Sequence, residues 1–386
     1  MNTAATTNTQ VCLVSNQPIP NLTPLLDSSL EARRVILVVT PDMHERAGWL
    51  EDVLRPRGIR SELWPIDDAW DFDAIQSRIM ELLERETEAG TRPALNATGG
   101  TKLMSIAAYE AFRAYDLPIF YVHPERDSIV WLQTGDSSGQ PQELENRLRL
   151  EAFLQAHGAR VAHKPRRNLP AAGDLELAET LIQGQDRYSR PIGTLNWLAA
   201  SADHPGLDAR LEHTTRELDE LLDLFQQHGK LTRHGDSITF SDEKARFYAN
   251  GGWIESHVYN QLRRLRGRRP RLQDLACALE VTRQQRDKTI PNELDVAFLH
   301  DNRLHIIECK TRRFRENGEE SAGAEALYKL DTLRDLMGGL QARAMLISYR
   351  DLSGHDRSRA ADLGIRVCAG SQLHHLRQHL LNFAAP

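Results

Sequence analysis

Arg34-Val35-Ile36-Leu37-Val38-Val39-Thr40 is an almost unbroken apolar run, rich in β-branched residues and too short for an ordinary helix. That is the pattern of a strand buried on both faces, as in a parallel sheet. Shorter runs of the same kind stand at Val11–Val14, Ser61–Pro65, Pro93–Asn96, Pro118–Val122 and Ile129–Leu132. Helical periodicity fills the gaps, ending near Leu54, spanning Phe72–Glu88, and running to about Tyr115. Strands alternating with helices through short connections predict a doubly wound, Rossmann-like α/β domain over residues 1–140. Gly135-Asp136-Ser137-Ser138-Gly139-Gln140-Pro141 reads as the linker that ends it.

The 386 residues exceed one ordinary domain, so two are the default and three fit. Hydrophobic residues make up 40% and charged residues 26%, a globular rather than a disordered composition. The net charge of -6 excludes a general affinity for polyanions, so a nucleic acid would need a local basic patch. Cys12, Cys277, Cys309 and Cys368 are scattered, which argues against disulfides or a zinc knuckle and for a reducing compartment. The start of the chain carries no basic run, and every apolar stretch is shorter than a membrane span. The expectation is a cytoplasmic protein with no membrane partner.

Residues 141–249 read as a mainly helical connector. Arg210–His228 is its clearest amphipathic stretch, and Gly229–Thr239 reads as a hairpin. A helix followed by a hairpin suggests a winged-helix-like unit, structural rather than DNA-reading. From residue 250 to 386 the pattern turns α/β again. Strands at Leu294–Leu299 and Arg303–Cys309 are joined by the turn His300-Asp301-Asn302. Helices and strands then alternate to the end, which predicts a mixed sheet.

That hairpin carries the chemistry. Glu308 and Lys310 are two apart, so on a strand both leave the same face, and Asp295 can sit across from them. Two carboxylates beside a lysine suit phosphodiester hydrolysis. The carboxylates hold hard divalent cations through oxygen, and a lysine can stabilise transition-state charge. The alternative is ordinary charge alternation on a surface strand. It is weakened because Glu308 follows the run His305-Ile306-Ile307, where a charge is costly without a partner. Upstream, Arg263, Arg264, Arg266, Arg268, Arg269 and Arg271 crowd together, a local exception in an acidic chain. They read as a track for a nucleic-acid backbone with little base specificity, or else as a solvated helix end.

Glu293-Leu294-Asp295 with Glu308-Cys309-Lys310 resembles the PD-(D/E)xK restriction-endonuclease-like core, with Leu294 in place of the proline. Gly251-Gly252-Trp253-Ile254-Glu255 resembles the opening of the helix that supplies a further acidic residue. Tyr328-Lys329-Leu330-Asp331 is similar to a later helix that supplies a basic one. The resemblance implies Asp295, Glu308, Lys310 and Glu255 as catalytic residues. It implies Asp295, Glu308 and Glu255 as ligands of manganese or magnesium, and Lys329 with the arginines as substrate contacts.

Asn96-Ala97-Thr98-Gly99-Gly100-Thr101-Lys102 sits at a strand-to-helix junction. Glycines let the backbone approach an anion, and the helix N-terminus offers free N–H groups. It is neither a P-loop nor a dinucleotide fingerprint. Together with the segment from Ser15 to Pro24 it resembles the CARF domains, Rossmann-like sensors of cyclic oligoadenylates in CRISPR-linked proteins. That resemblance implies ligand contacts from Ser15, Asn16, Gln17, Asn21, Thr23, Asn96, Thr98, Gly99, Gly100, Thr101 and Lys102. The order of CARF domain, connector and nuclease core is similar to the ancillary nucleases of type III CRISPR antiviral defence. It implies a homodimer, allosteric activation by cyclic tetra-adenylate, and metal-dependent cleavage of DNA, RNA or both. The competing class is a non-enzymatic regulator, a CARF sensor with a winged-helix reader and a decayed core. The intact Asp295, Glu308 and Lys310 argue against decay. Arg350 and His355 have the R-x4-H spacing of HEPN ribonucleases, but that motif needs a helical bundle and here follows a strand.

Overall fold

The computed structural model describes residues 8–123, 125–133, 141–165, 167–168, 170–202, 206–267, 271–285, 288–312 and 322–385. The expected linker at 135–141 lies outside the described residues except Pro141. Among the described residues, the N-terminal strands are β1 (Thr9–Leu13), β2 (Arg34–Val39), β3 (Arg60–Pro65), β4 (Ala94–Asn96), β5 (Ile119–His123), β6 (Ser128–Gln133) and β7 (Gln142–Glu143). They form one sheet in the order β3-β2-β1-β4-β5-β6-β7. From Val35 to Val39 every residue of β2 is buried, as its composition demands. One apolar layer packs under the helices Phe72–Glu88 and Lys102–Ala114. Another packs under His44–Leu54 and Leu150–Ala156.

From β3 to β5 the neighbours are parallel, but β5–β6 and β6–β7 are antiparallel. The doubly wound parallel sheet expected from the alternation of strands and helices therefore carries an antiparallel edge. The link from His123 to Ser128 is too short for a crossover, which needs a dozen residues or more, so β6 must return beside β5. The strand order reverses between β1 and β4. The crevice beyond the carboxyl ends of those two strands is where ligands bind in such sheets.

The remaining strands are β8 (Ala159–Val161), β9 (Asp208–Arg210), β10 (Leu231–His234), β11 (Ser237–Phe240), β12 (Leu272–Gln285), β13 (Lys288–His300), β14 (Arg303–Lys310), β15 (Arg343–Ser348) and β16 (Arg366–Ala369). The C-terminal sheet runs β16-β15-β14-β13-β12-β8, parallel from β14 to β16 and antiparallel elsewhere. Strand β12 is invisible in the sequence because Gln273 and Asp274 interrupt its apolar pattern. Both are buried, and the Asp274 carboxylate accepts from Leu150 N (3.0 Å) and Arg167 Nη2 (2.8 Å).

In the middle of the chain the amphipathic helix starts at Arg216, capped by the Thr215 side chain, because Asp208–Arg210 pairs with β11 instead. It leads into the hairpin β10–β11. This region does not close a core of its own. Leu181, Leu195 and Phe225 share one apolar cluster with Trp253, Val258 and Tyr349. A second cluster joins the N-terminal sheet to Leu299, Leu304 and the helix Ala322–Gly338. Among the described residues no helix is long and apolar enough to cross a membrane.

Candidate functional site

Strands β13 and β14 pair from His300↔Arg303 to Val296↔Ile307 and then part. At the same level the β12–β13 ladder skips Ala278 and Asp295, and Ala278 has φ +47°. The irregularity frees Asp295 from strict alternation. Its Oδ2 accepts the N–H of Cys309 at 2.7 Å, a donor that the parted strand leaves open. Glu308 is buried, and its carboxylate is ion-paired with Lys310 on the same face of β14.

The loop before the helix Trp253–Arg266 docks on the end of β14. Gly251 has φ +120°, and a Cβ there would lie 2.6 Å from Thr311 Oγ1. Arg312 Nη2 donates to Asn250 Oδ1 at 2.7 Å, and Asn196 is hydrogen-bonded to Thr311 at 2.8 Å. The first turn of that helix carries Glu255. Burial, then Asp295 and Glu293, push the Glu255 carboxyl up to about 9, against the pull of Lys310. Burial, then Glu308, push Asp295 up to about 7, while Lys310 and the Cys309 N–H oppose. Burial alone would lower the Lys310 ammonium, but Glu308 and Asp295 outweigh it and raise it. Residues 55 positions apart therefore share one electrostatic site.

Crowded carboxylates with raised proton affinity are the donor chemistry a hard divalent cation would satisfy. Among the described residues, however, no three His, Cys, Asp or Glu side chains gather closely enough to hold a metal ion. One Asp295 oxygen is taken by a backbone N–H, and Glu308 by Lys310.

The arginine cluster divides. Arg263, Arg264 and Arg266 are exposed on the last turn of the helix Trp253–Arg266. Arg264 lines a cavity of about 470 Å³ with His257, Arg377 and Glu179. Arg266 Nη2 donates to Gln273 O (2.6 Å), and Arg271 reaches Asp301 and Glu143 at 3.3 Å each. Arg268 and Arg269 lie outside the described residues. Lys329 is exposed on the helix Ala322–Gly338.

A cavity of about 580 Å³ opens at the switch point of the N-terminal sheet. Of the residues singled out in sequence, Ser15, Asn16, Gln17, Thr23, Thr98, Gly99 and Gly100 line it. The two glycines are obligatory. A Cβ on Gly99 would stand 2.0 Å from Leu13 O, and Gly100 has φ +72°. Asn21, Asn96 and Thr101 instead build the loops. Asn21 Nδ2 donates to Leu13 O and Asn96 Nδ2 to Pro20 O, both at 2.8 Å. Thr101 caps the helix by accepting from Met104 N. Lys102 is exposed on the first turn and is not part of this wall.

The opposite wall could not be read from sequence. It comes from the far end of the chain: Asp301, Asn302 and Arg303 at the β13–β14 turn, and Gly338, Leu340 and Gln341 after the long helix. Leu340 N donates to Gln17 Oε1 at 3.3 Å. Asn302 Nδ2 donates to Asp127 Oδ2 (2.7 Å), and Asn302 exchanges two further bonds with Gln273 (2.7 and 2.6 Å). Burial pushes the Asp127 carboxyl up to about 7; the Asn302 bond opposes this and Asp301 adds to it. The one available signal was the turn itself. Asp301 and Asn302 both have positive φ, as a tight two-residue hairpin requires, but turn chemistry does not reveal what a turn faces.

A family model of the Card1 CARF domain matches residues 9–153, and one described as the Card1-like endonuclease domain matches residues 242–386. No curated protein matches the chain. Among solved structures, protein VC1899 from Vibrio cholerae is 33% identical, with a TM-score of 0.88 over 97% of each chain. Can2 from Sulfobacillus thermosulfidooxidans, solved in complex with cyclic tetra-adenylate, is 27% identical, with a TM-score of 0.83 over 98% of this chain and 99% of that one. A type III CRISPR defence DNA nuclease activated by cyclic oligoadenylate shares the fold, at 18% identity and a TM-score of 0.56 over 93% of this chain and 50% of that one. With a CARF domain at its start, an endonuclease domain at its end and a relative of one-third identity along nearly its whole length, the chain belongs to the Card1-like family of CARF-domain nucleases.

Proposed function

We propose that this protein is a metal-dependent nuclease of type III CRISPR defence, switched on by a cyclic oligoadenylate, with cyclic tetra-adenylate as the activator. One observation carries the reading: the switch-point cavity is walled on one side by the Ser15–Gln17 and Thr98–Gly100 loops and on the other by the β13–β14 turn. Five residues beyond that turn, roughly 17 Å along the same strand at 3.3 Å per residue, stands Glu308. A ligand in the cavity therefore touches a rigid element that ends in the carboxylate site. It can shift that element only if it binds one arrangement better than the other.

In this reading the protein acts as a homodimer, and a two-fold ligand is held by equivalent loops of both copies. Asp295 and Glu308, with Glu255, would hold manganese or magnesium once freed from the Cys309 N–H and Lys310. A cation there would supply a water of lowered pKa and neutralise charge on the phosphate. Lys310 leaves Glu308 to donate to a phosphate oxygen, and the raised proton affinity of Asp295 and Glu255 marks crowded, buried charge that a cation would relieve. Arg263 and Arg264 contact the nucleic-acid backbone, so cleavage of DNA or RNA shows little base preference.

The test is a cleavage panel of single- and double-stranded DNA and RNA with manganese or magnesium, with and without each cyclic oligoadenylate. Glu308→Ala should abolish cleavage while keeping activator binding. Cleavage unchanged in that variant would remove Glu308 from the site. A wild-type protein that binds cyclic tetra-adenylate but cuts nothing would favour a non-enzymatic regulator.

A further inference from the structure

Behind the Ser15–Gln17 loop lies a separate cavity of about 200 Å³, lined by Arg46 and Trp49 from the N-terminal domain, His157 from the junction, and Arg283 from β12. At about 30 Å³ per water it has room for six or seven, enough for a phosphate and part of a sugar. It is too small for a cyclic tetranucleotide, for which the 580 Å³ cavity is the better match.

Both arginines line this cavity, and the acids near them are Glu45, whose charge acts on Arg283, and Asp335. Arg46 lies over the Trp49 ring at 5.8 Å, and Trp49 is wedged against Gly158, where a Cβ would stand 2.4 Å from the indole. The Nε of Arg283 is buried and has no hydrogen-bond partner among the described residues. Burial lowers the Arg283 guanidinium from its ordinary value, Glu45 opposes, and Arg46 lowers it further. Asp335 also lines the cavity, but its Oδ1 is paired with Arg334 at 2.9 Å. His157 is 7% exposed; its Nδ1 bonds to Phe153 O at 2.9 Å, and its Nε2 is buried without a partner among the described residues. Two neighbouring guanidiniums in one small cavity are costly alone and favourable around an anion, and the His157 Nε2, an acceptor because its Nδ1–H donates to Phe153 O, suits a phosphate that keeps a hydroxyl proton.

We propose that this cavity is an anion site for a phosphate group, gripped by Arg46 from the CARF domain and Arg283 from the nuclease sheet. The phosphate is either free or the terminal group of a nucleotide. Because its two holders belong to different domains, its binding favours the arrangement in which they stand this close.

The full-length protein is titrated calorimetrically with inorganic phosphate, adenosine monophosphate and adenosine, at fixed ionic strength in chloride buffer. Saturable binding of phosphate and the monophosphate, but not adenosine, is expected. Binding of inorganic phosphate alone assigns the free anion; binding of both assigns a nucleotide's terminal phosphate. Arg46→Gln and Arg283→Gln should each weaken binding by roughly tenfold or more, the loss of one charge-assisted contact. Arg46→Lys, which keeps the charge, should retain part of the affinity and guards against a folding defect. No saturable phosphate binding by the wild type, or undiminished binding in both glutamine variants, overturns the proposal. So does binding of adenosine as tight as that of the monophosphate.

Discussion

Asn302 donates its side-chain N–H to the Asp127 carboxylate at 2.7 Å and so ties the turn between β13 and β14 to the edge hairpin of the CARF domain. The same asparagine is clamped by Gln273 through two bonds. A buried polar network of this kind is fully satisfied only when both domains are in place, which makes it sensitive to any shift between them.

Asn302→Ala removes two of those bonds at once, since the one from the Asn302 backbone N–H remains. It should cost about 1–3 kcal/mol, since Asp127 and Gln273 are left partly unsatisfied. Urea unfolding measures this. Activator-stimulated cleavage should fall by roughly fivefold or more, a typical coupling energy, with unstimulated cleavage little changed. Equal stimulation in variant and wild type would mean that the turn does not carry the signal.

Asp127 makes stability depend on pH. Its folded pKa is about 7, above the unfolded value, so the folded form retains the proton longer. Its contribution is fully present below the unfolded pKa and is lost as pH rises through about 7. Asp127→Asn keeps an acceptor for Asn302 but cannot ionise. The advantage of the variant over the wild type should grow by about 1–3 kcal/mol between pH 5 and pH 8. Unfolding curves at both pH values check this, and a constant difference would refute the assignment.

Gly251→Ala tests how Glu255 is delivered. A side chain at φ +120° is strained, and its Cβ would press on Thr311 at 2.6 Å. The cost should be about 1–3 kcal/mol or more. Cleavage should drop further than stability explains, because the start of the helix Trp253–Arg266 must move. Activator affinity, measured by calorimetry, should hold.

Gly99→Ala is the matching test at the other end. Its Cβ would fall 2.0 Å from Leu13 O, so the loop must open. Activator binding should weaken by roughly tenfold or more, the equivalent of one or two lost hydrogen bonds. Lys102→Ala, outside the cavity wall, should have the smaller effect of the two. The reverse order would make the lysine the principal anchor.

Much of the fold was legible because its strands are buried on both faces. The run from Val35 to Val39 cannot be mistaken, and the helix Phe72–Glu88 has the boundaries its periodicity implies. Strand β12 was not legible, because Asp274 looks like a surface residue until Arg167 and the Leu150 N–H are brought to it. The antiparallel return of β6 was implicit in a connection too short to cross over, a constraint of chain length rather than of hydrophobic pattern.

What the sequence determined by itself was local. Period-two alternation puts Glu308 and Lys310 on one face, and the Gly99-Gly100 pair marks a backbone that must approach Leu13 closely. The tertiary structure alone decided which distant segments meet. It set Glu255 beside Asp295, placed Asn302 against Asp127, and brought Arg46 and Arg283 to one cavity. Periodicity reports which side of an element is buried, but the identity of the partner depends on how whole layers pack, and these partners lie 40 to 237 residues apart in the chain.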